Sequence, residues 1–377
     1  MASRKQVKRA VKAAKKMSPK ALFLAVLFII IVVAGYYVYN TYFKPKVEAK
    51  GELSFHFMTL GNNKSGDAVY VKAGDNDILI DGGSDTDSVD DIKEYIDKYV
   101  TDKTLEYVIV THSDLDHISC FAGSSKDKSI FDLYEVGVII DFPKTNKTGE
   151  EKLYKSYLEK RQSEIDDGNT VHYSALECYN QTNGAKRVYE LTDDGSVKME
   201  ILYNYYYDHE SNDENNYSVC IMFHHGSDKQ FIFTGDLEYD GEKRLAEKYD
   251  FEQVELYKAG HHGSKTSSTE RLLSEIKPKI CVVCCSVGYN QYGANPENVF
   301  PTQAFIDRIA IYTKEIYIPT LGDKNFISSG TYADFNGDIV VISEGEKEVY
   351  VECSNNNTIL KESNWFKENR TWPSNGK

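Results

Sequence analysis

Tyr107-Val108-Ile109-Val110-Thr111-His112-Ser113-Asp114-Leu115-Asp116-His117 is the stretch from which the rest of the chain is read. An apolar run ends, and His112, Asp114, Asp116 and His117 follow within six residues. Mixed imidazole and carboxylate donors at this density suit one or two divalent cations; the competing reading is a solvated polar turn. The same order recurs elsewhere. Ile78-Leu79-Ile80 leads into Asp81-Gly82-Gly83, Phe231-Ile232-Phe233 into Thr234-Gly235-Asp236, and Leu256-Tyr257-Lys258-Ala259 into Gly260-His261-His262-Gly263-Ser264. Buried strands hold their ends rigidly, so loops beyond those ends can converge ligands on one cleft. Recurrence therefore favours a site over a turn. Asp81 reads either as a tight-turn residue or as a carboxylate that orients a ligand.

Around these motifs, residues 52–343 alternate short apolar runs with amphipathic segments. Strands are predicted at 68–72, 77–80, 106–110, 136–140, 197–202, 217–223, 230–233, 254–258, 280–285, 315–318 and 338–342, and helices at 88–100, 150–164, 241–248, 269–275 and 302–309. Such a mixture predicts a sheet-rich α/β domain with helices outside. Residues 44–51 read as a tether and 344–377 as a strand-and-tail extension; 144–150 and 205–216 read as insertions or surface loops. His224-His225-Gly226-Ser227 copies the later histidine motif, but it lies between two predicted strands and reads as a hairpin turn. Cys281 and Cys284 sit in an apolar run whose alternation points them to opposite faces. They read as buried small hydrophobes, and the odd total of seven cysteines argues against a full disulfide framework.

Charge divides the chain. Residues 1–47 hold ten Lys/Arg and no acid, leaving 34 basic against 58 acidic residues in the remainder, a balance of −24. This balance disfavours binding nucleic acid mainly by bulk positive charge; a polyanion would need a local source of positive charge. After the basic segment 1–20, residues 21–43 run without a charge for 23 residues and end among Tyr36, Tyr37, Tyr39 and Tyr42. As a helix this run spans roughly 34 Å, which predicts one transmembrane helix with a cytoplasmic amino terminus and the body outside. A cleaved signal peptide is the competing reading.

The motifs together resemble the metallo-β-lactamase-fold hydrolases, and most closely the hydrolase domain of ComEC-type DNA-uptake proteins. The likeness rests on His112-Ser-Asp114-Leu-Asp116-His117, Phe233-Thr-Gly-Asp236-Leu-Glu238, Lys258-Ala-Gly-His261-His262-Gly-Ser264-Lys265 and Asn215-Asn216-Tyr217-Ser218-Val219. It implies a four-layer αββα sandwich with a metal site along one edge of the paired sheets. It further implies His112 and Asp114 at a first metal, Asp116, His117 and His261 at a second, and Asp236 bridging. His262 is then the transition-state donor, the exchange of roles between His261 and His262 remaining open. Two departures stand out. The glycine-containing entry segment is stretched over 59–68, and Asn295-Pro296 replaces a His-Pro pair. A histidine that the superfamily supplies before Asp236 has no clear counterpart; Asn215 or Asn216 could stand in, whereas His172 and His209 follow no strand end.

The expected activity is hydrolysis by water activated on two divalent ions, Zn²⁺ or, given the carboxylate at 114, Mn²⁺. Asp116, His262 and Lys265 are the expected catalytic residues, with Lys265 or Lys258 contacting an anionic group. The expected substrate is a phosphodiester, DNA or a nucleotide. Cell-envelope phosphodiesters or a lactone or lactam are the enzymatic alternative, and a non-catalytic, metal-stabilised binding module is the third reading.

Overall fold

A computed structural model of the chain describes residues 18–38, 47–291 and 295–377. It divides into two compact units, one ending at Val47 and the other running Glu48–Lys377. In the first, the helix Pro19–Val38 leaves Phe23, Leu24 and Phe28 through Val33 exposed. The span expected over 21–43 is not supported, because among the described residues no helix is long and apolar enough to cross a membrane. The apolar stretch whose side chains are described, 23–35, measures only about 20 Å along a helix axis, against about 30 Å of hydrocarbon. Residues 39–43 of the expected span and 1–17 of the basic segment lie outside the described residues.

The second unit is built on two large sheets. One has eight strands in the order Tyr350–Cys353, Ile339–Glu344, Glu52–Phe57, Val69–Ala73, Asn76–Ile80, Thr104–Val110, Glu135–Asp141 and Val171–Ser174. The other has seven, ordered Glu315–Tyr317, Ile280–Val282, Leu256–Lys258, Lys229–Phe233, Cys220–His225, Val197–Leu202 and Val188–Glu190. Each is antiparallel on one side and parallel on the other, and Asn76–Ile80, Thr104–Val110, Lys229–Phe233 and Leu256–Lys258 all belong to the parallel parts. Such strands gather their carboxyl ends at one edge, the usual place for a site in an α/β sheet.

The sheets pack face to face through phenylalanines. Phe55 lies 5.3, 4.8 and 5.4 Å from the rings of Phe223, Phe231 and Phe233. Strand Glu52–Phe57, absent from the predicted set, does this by alternation: Leu53, Phe55 and Phe57 enter the inter-sheet core, while Ser54 and His56 turn to the other face. Outside the first sheet lie the helices Ser88–Ile96, Leu115–Ala122 and Lys152–Asp166, whose Ile92, Ile96, Phe121 and Tyr157 join its core. Outside the second lie Tyr239–Lys248, Glu270–Ile276 and Gln303–Ile309, which bury Leu245, Leu272, Ile276, Phe305 and Ile309 in a separate cluster. The layers are helix, sheet, sheet, helix.

Several boundaries differ from expectation. The strand predicted over 217–223 begins at Cys220, because Glu214–Tyr217 forms a 3₁₀ turn. The run 280–285 stops as a strand at Val282, and Ser286–Val287 joins a small three-stranded sheet. Cys281 packs with the outer cluster and Cys284 with the inter-sheet core, and all seven cysteines are free. Residues 226–228 join two antiparallel strands, so the copied histidine motif is a hairpin. There His225 bonds Ser343 Oγ and the Lys50 carbonyl, at 2.9 Å each. That contact and buried Ala49 draw 48–51, expected as tether, onto the body. In the expected tail, Tyr350–Cys353 extends the first sheet, and Trp365 and Phe366 of helix Asn364–Asn369 are buried.

Candidate metal centre

Three of the four strand-end motifs deliver a buried imidazole or carboxylate to one point, and the fourth, at Asp81, supports them from behind. His117 Nε2 lies 3.2 Å from Asp236 Oδ2, and His262 Nε2 lies 3.1 Å from the same oxygen. His262 Nε2 is also 3.2 Å from Asp116 Oδ2. The rings of His112 and His117 are 4.1 Å apart. His112, His117 and Asp236 form one group able to hold an ion, and Asp116, His117 and His262 a second.

Hydrogen bonds on the far side of each ring set the tautomers. His117 donates through Nδ1 to Asp81 Oδ2 at 2.8 Å, and His262 through Nδ1 to the Cys284 carbonyl at 2.7 Å. Thr111 donates to Asp81 from both N–H and hydroxyl, at 2.7 and 2.8 Å, so its Oγ1 accepts from His112 Nδ1 at 3.1 Å. Each Nε2 is thereby turned inward. All three are buried with no well-formed hydrogen bond, those of His117 and His262 only facing the Asp236 and Asp116 oxygens, an arrangement that a cation among them would satisfy.

The local field favours positive charge. Burial opposes the charged form of His117, yet Asp236, Asp81 and Asp67 raise its pKa well above the ordinary imidazole range. His262 behaves alike: burial lowers, and Asp236 and Asp116 prevail. Burial would raise Asp236, but His262, His117 and Lys258 hold it well below the usual carboxylate range. Imidazole nitrogen with carboxylate oxygen is a donor set suited to Zn²⁺ or Mn²⁺, so the residues present fit the cations the fold implies.

The remaining expected residues spread around this cluster. His261, the expected ligand, stands outside it: its Nδ1 is 3.1 Å from both Glu238 Oε1 and Thr266 Oγ1, and its ring lines the cleft. The inward nitrogen expected of His261 belongs to His262. Both residues have positive φ, 44° and 54°, a kink that sends neighbouring rings in different directions. Asp114 is partly exposed, with Oδ2 3.8 Å from His112 Nε2 and Oδ1 2.8 Å from Lys147 Nζ. Lys265 is at the rim, 3.6 Å from Glu297. Asn215 lines the cleft and donates to Glu238 at 3.3 Å, while Asn216 is buried and donates to Ser211. His172 pairs with Asp141, and His209 stacks on Tyr205. Asn295 caps the short turn Pro296–Asn298.

Asp67 is the residue the motif reading overlooked. It lies in the stretched entry segment, is buried, and ion-pairs with Lys258. Only the Gly-Asp-Ala triplet before a strand hinted at it. Above the cluster opens a cleft of about 550 Å³, lined by Asp116, Asp236 and His261 with Lys147, Lys265 and Phe300. The loops expected at 144–150 and 205–216 form part of its mouth, where Ser113 Oγ meets Thr145 Oγ1 at 2.8 Å and Glu214 Oε1 at 2.6 Å.

The model of the Metallo-beta-lactamase superfamily matches residues 61–168, from the entry segment through the His112–His117 motif. The chain has the metallo-β-lactamase fold. Among curated proteins it is 32% identical over 83 residues to ComE operon protein 3 of Bacillus subtilis (22% of this chain, 10% of that protein). It is 33% identical over 70 residues to Recombination protein 2 of Haemophilus influenzae (19% and 8%). The chain thus spans about a tenth of the length of these relatives. Among solved structures the chain is similar to the metallo-beta-lactamase fold protein YhfI from Bacillus subtilis, at 13% identity and TM-score 0.40 over 71% of this chain and 96% of that one. A long form RNase Z from yeast matches at 10% identity and TM-score 0.40, over 76% and 42%.

Proposed function

We propose that this protein is a metal-dependent hydrolase of phosphodiesters, DNA or nucleotides among them. The observation that carries the reading is the set of three buried imidazole nitrogens converging with Asp116 and Asp236 on the floor of an open cleft. A structural site would be closed and need only four ligands, which disfavours a binding module. Two divalent cations here would make water nucleophilic near neutral pH and offset charge on a phosphoryl oxygen. His112, His117, His262, Asp116 and Asp236 would hold them, with Asp114 reaching the first.

The chain's own groups supply the rest. Lys147 and Lys265 line the cleft and offer the local positive charge that an acidic body otherwise lacks. His261, backed through Nδ1 by Glu238 and Thr266, lines the cleft. There it would give a proton to the departing oxygen as water attacks phosphorus and the P–O bond breaks. Resemblance to the DNA-uptake hydrolases supports the same substrate class. The exposed apolar side chains of helix Pro19–Val38 support attachment of the chain to a membrane.

The test is turnover by the purified full chain, loaded with Mn²⁺ or Zn²⁺, of an oligonucleotide, an aryl phosphodiester and a lactam reporter. Hydrolysis of the phosphodiesters supports the proposal. Turnover of the lactam alone would replace it with carbonyl hydrolysis, and metal retention without any turnover would leave a binding module. Alkaline extraction of cell membranes checks the attachment, which is wrong if the chain washes off.

A further inference from the structure

Lys258 ends strand Leu256–Lys258 and is 2% exposed, directly beneath the cluster. A lysine ammonium has three N–H donors, and each has an acceptor. Nζ reaches Asp236 Oδ1 at 3.3 Å, the Gly235 carbonyl at 3.2 Å, and Asp67 Oδ2 in a close ion pair. Asp67 is itself buried, so the pair is shielded from solvent. The two oxygens of Asp236 are thereby divided: Oδ1 faces Lys258, and Oδ2 faces His117 and His262.

We infer that Lys258, held by Asp67, is a positioning residue that holds Asp236 with Oδ2 toward the cleft, where cations held by the neighbouring histidines and Asp116 would meet it. With Oδ1 engaged by an ammonium, Asp236 would offer Oδ2 to cations in the cleft. Without Lys258 nothing would hold Oδ1 in place, and the carboxylate would be free to turn, which would weaken the second ion's site. The buried ammonium also cancels one of the acidic charges packed here, among Asp67, Asp81, Asp116 and Asp236. It thus limits the repulsion that these carboxylates exert on one another before metal arrives. The inference rests on the two-cation reading given above and adds which residues orient Asp236.

The experiment uses the full chain with Mn²⁺ as the probe, reading binding stoichiometry and affinity by titration and ion–ion coupling by electron paramagnetic resonance. Wild type should bind two Mn²⁺ with an exchange-coupled spectrum. Lys258→Met leaves buried Asp67 without its lysine and could fail to fold, so the deciding variant is Lys258→Met/Asp67→Asn, which removes both charges together. That double variant should melt cooperatively, bind the second Mn²⁺ at least tenfold more weakly, and lose the coupled spectrum. Asp67→Asn alone, which keeps the Lys258–Asp236 contact, should retain coupling. A folded double variant with wild-type affinity and coupling would overturn this inference while leaving the hydrolase reading intact. A wild type that takes up a single ion would overturn this inference together with the two-cation reading, while turnover of the phosphodiesters would still decide the hydrolase reading.

Discussion

Asp81 accepts from the Thr111 N–H, the Thr111 hydroxyl and His117 Nδ1, and so braces two imidazoles without reaching the cleft. Its φ of 60° lies in the left-handed region, which an aspartate tolerates better than most residues. Adjacent histidines divide the work in a comparable way. His262 is fully buried with its Nδ1 committed to Cys284, whereas His261 is partly exposed and tied to Glu238. Burial and then Glu238 lift the Asp213 pKa to about 6, while His261 helps keep Glu238 near 2, so the carboxylate beside His261 stays charged. The pair can be separated experimentally. His262→Ala should lower Mn²⁺ affinity at least tenfold by titration. His261→Ala should bind Mn²⁺ as wild type does and lose about a hundredfold in kcat on an aryl phosphodiester.

The turn Thr234-Gly235-Asp236 shows why the strand ends place ligands accurately. Gly235 has φ 54°, and a Cβ there would lie 2.8 Å from Ser218 Oγ and 2.9 Å from Thr111 Cβ. Gly235→Ala should therefore shift Asp236. Weaker metal binding and a stability loss of about 1–3 kcal/mol in denaturant titration are the expected outcomes. Helix Ser88–Ile96 docks on the first sheet through a polar contact inside an apolar interface: His56 Nδ1 meets Tyr95 OH at 2.8 Å, and Nε2 meets Ser54 Oγ at 3.0 Å. Burial lowers the His56 pKa from 6.5 to about 4. Between those values the unfolded chain takes up a proton that the folded chain refuses. Stability is then full above pH 6.5 and falls as pH drops toward 4, by about 3 kcal/mol for this group. A His56→Gln variant should flatten that part of the pH–stability curve, measured by urea unfolding; an unchanged curve would show that His56 does not set it.

The two sheets join in one inter-sheet core, and the cluster sits where their parallel strands end, so metal binding and folding are coupled across the whole body. Chelation with EDTA should lower Tm by about 5 °C relative to protein with free Mn²⁺ at a hundredfold excess over Kd, measured calorimetrically. An equal Tm with and without chelator would mean that the carboxylate cluster is stable empty. With a balance of −24 outside the first 47 residues, the body as a whole repels polyanions.

Metal-capable residues next to an apolar run were legible because the relation is local: a strand buries its apolar residues, and whatever follows within a few positions emerges at its end. That reading reached His112, Asp116, His117, Asp236 and the His261-His262 pair, together with most of the longer strands. Short strands such as Val188–Glu190 and Thr320–Leu321 carry too few residues for a period to show. Helix Leu115–Ala122 was hidden because its first turn is the metal motif itself. The choice of His262 over His261 depends on a backbone kink and on the Cys284 carbonyl from another strand, and Asp67 gains meaning only beside Lys258. Those are contacts between segments distant along the chain. Period and motif are properties of neighbours in sequence, whereas which lone pair faces which carboxylate is settled when the two sheets close on each other.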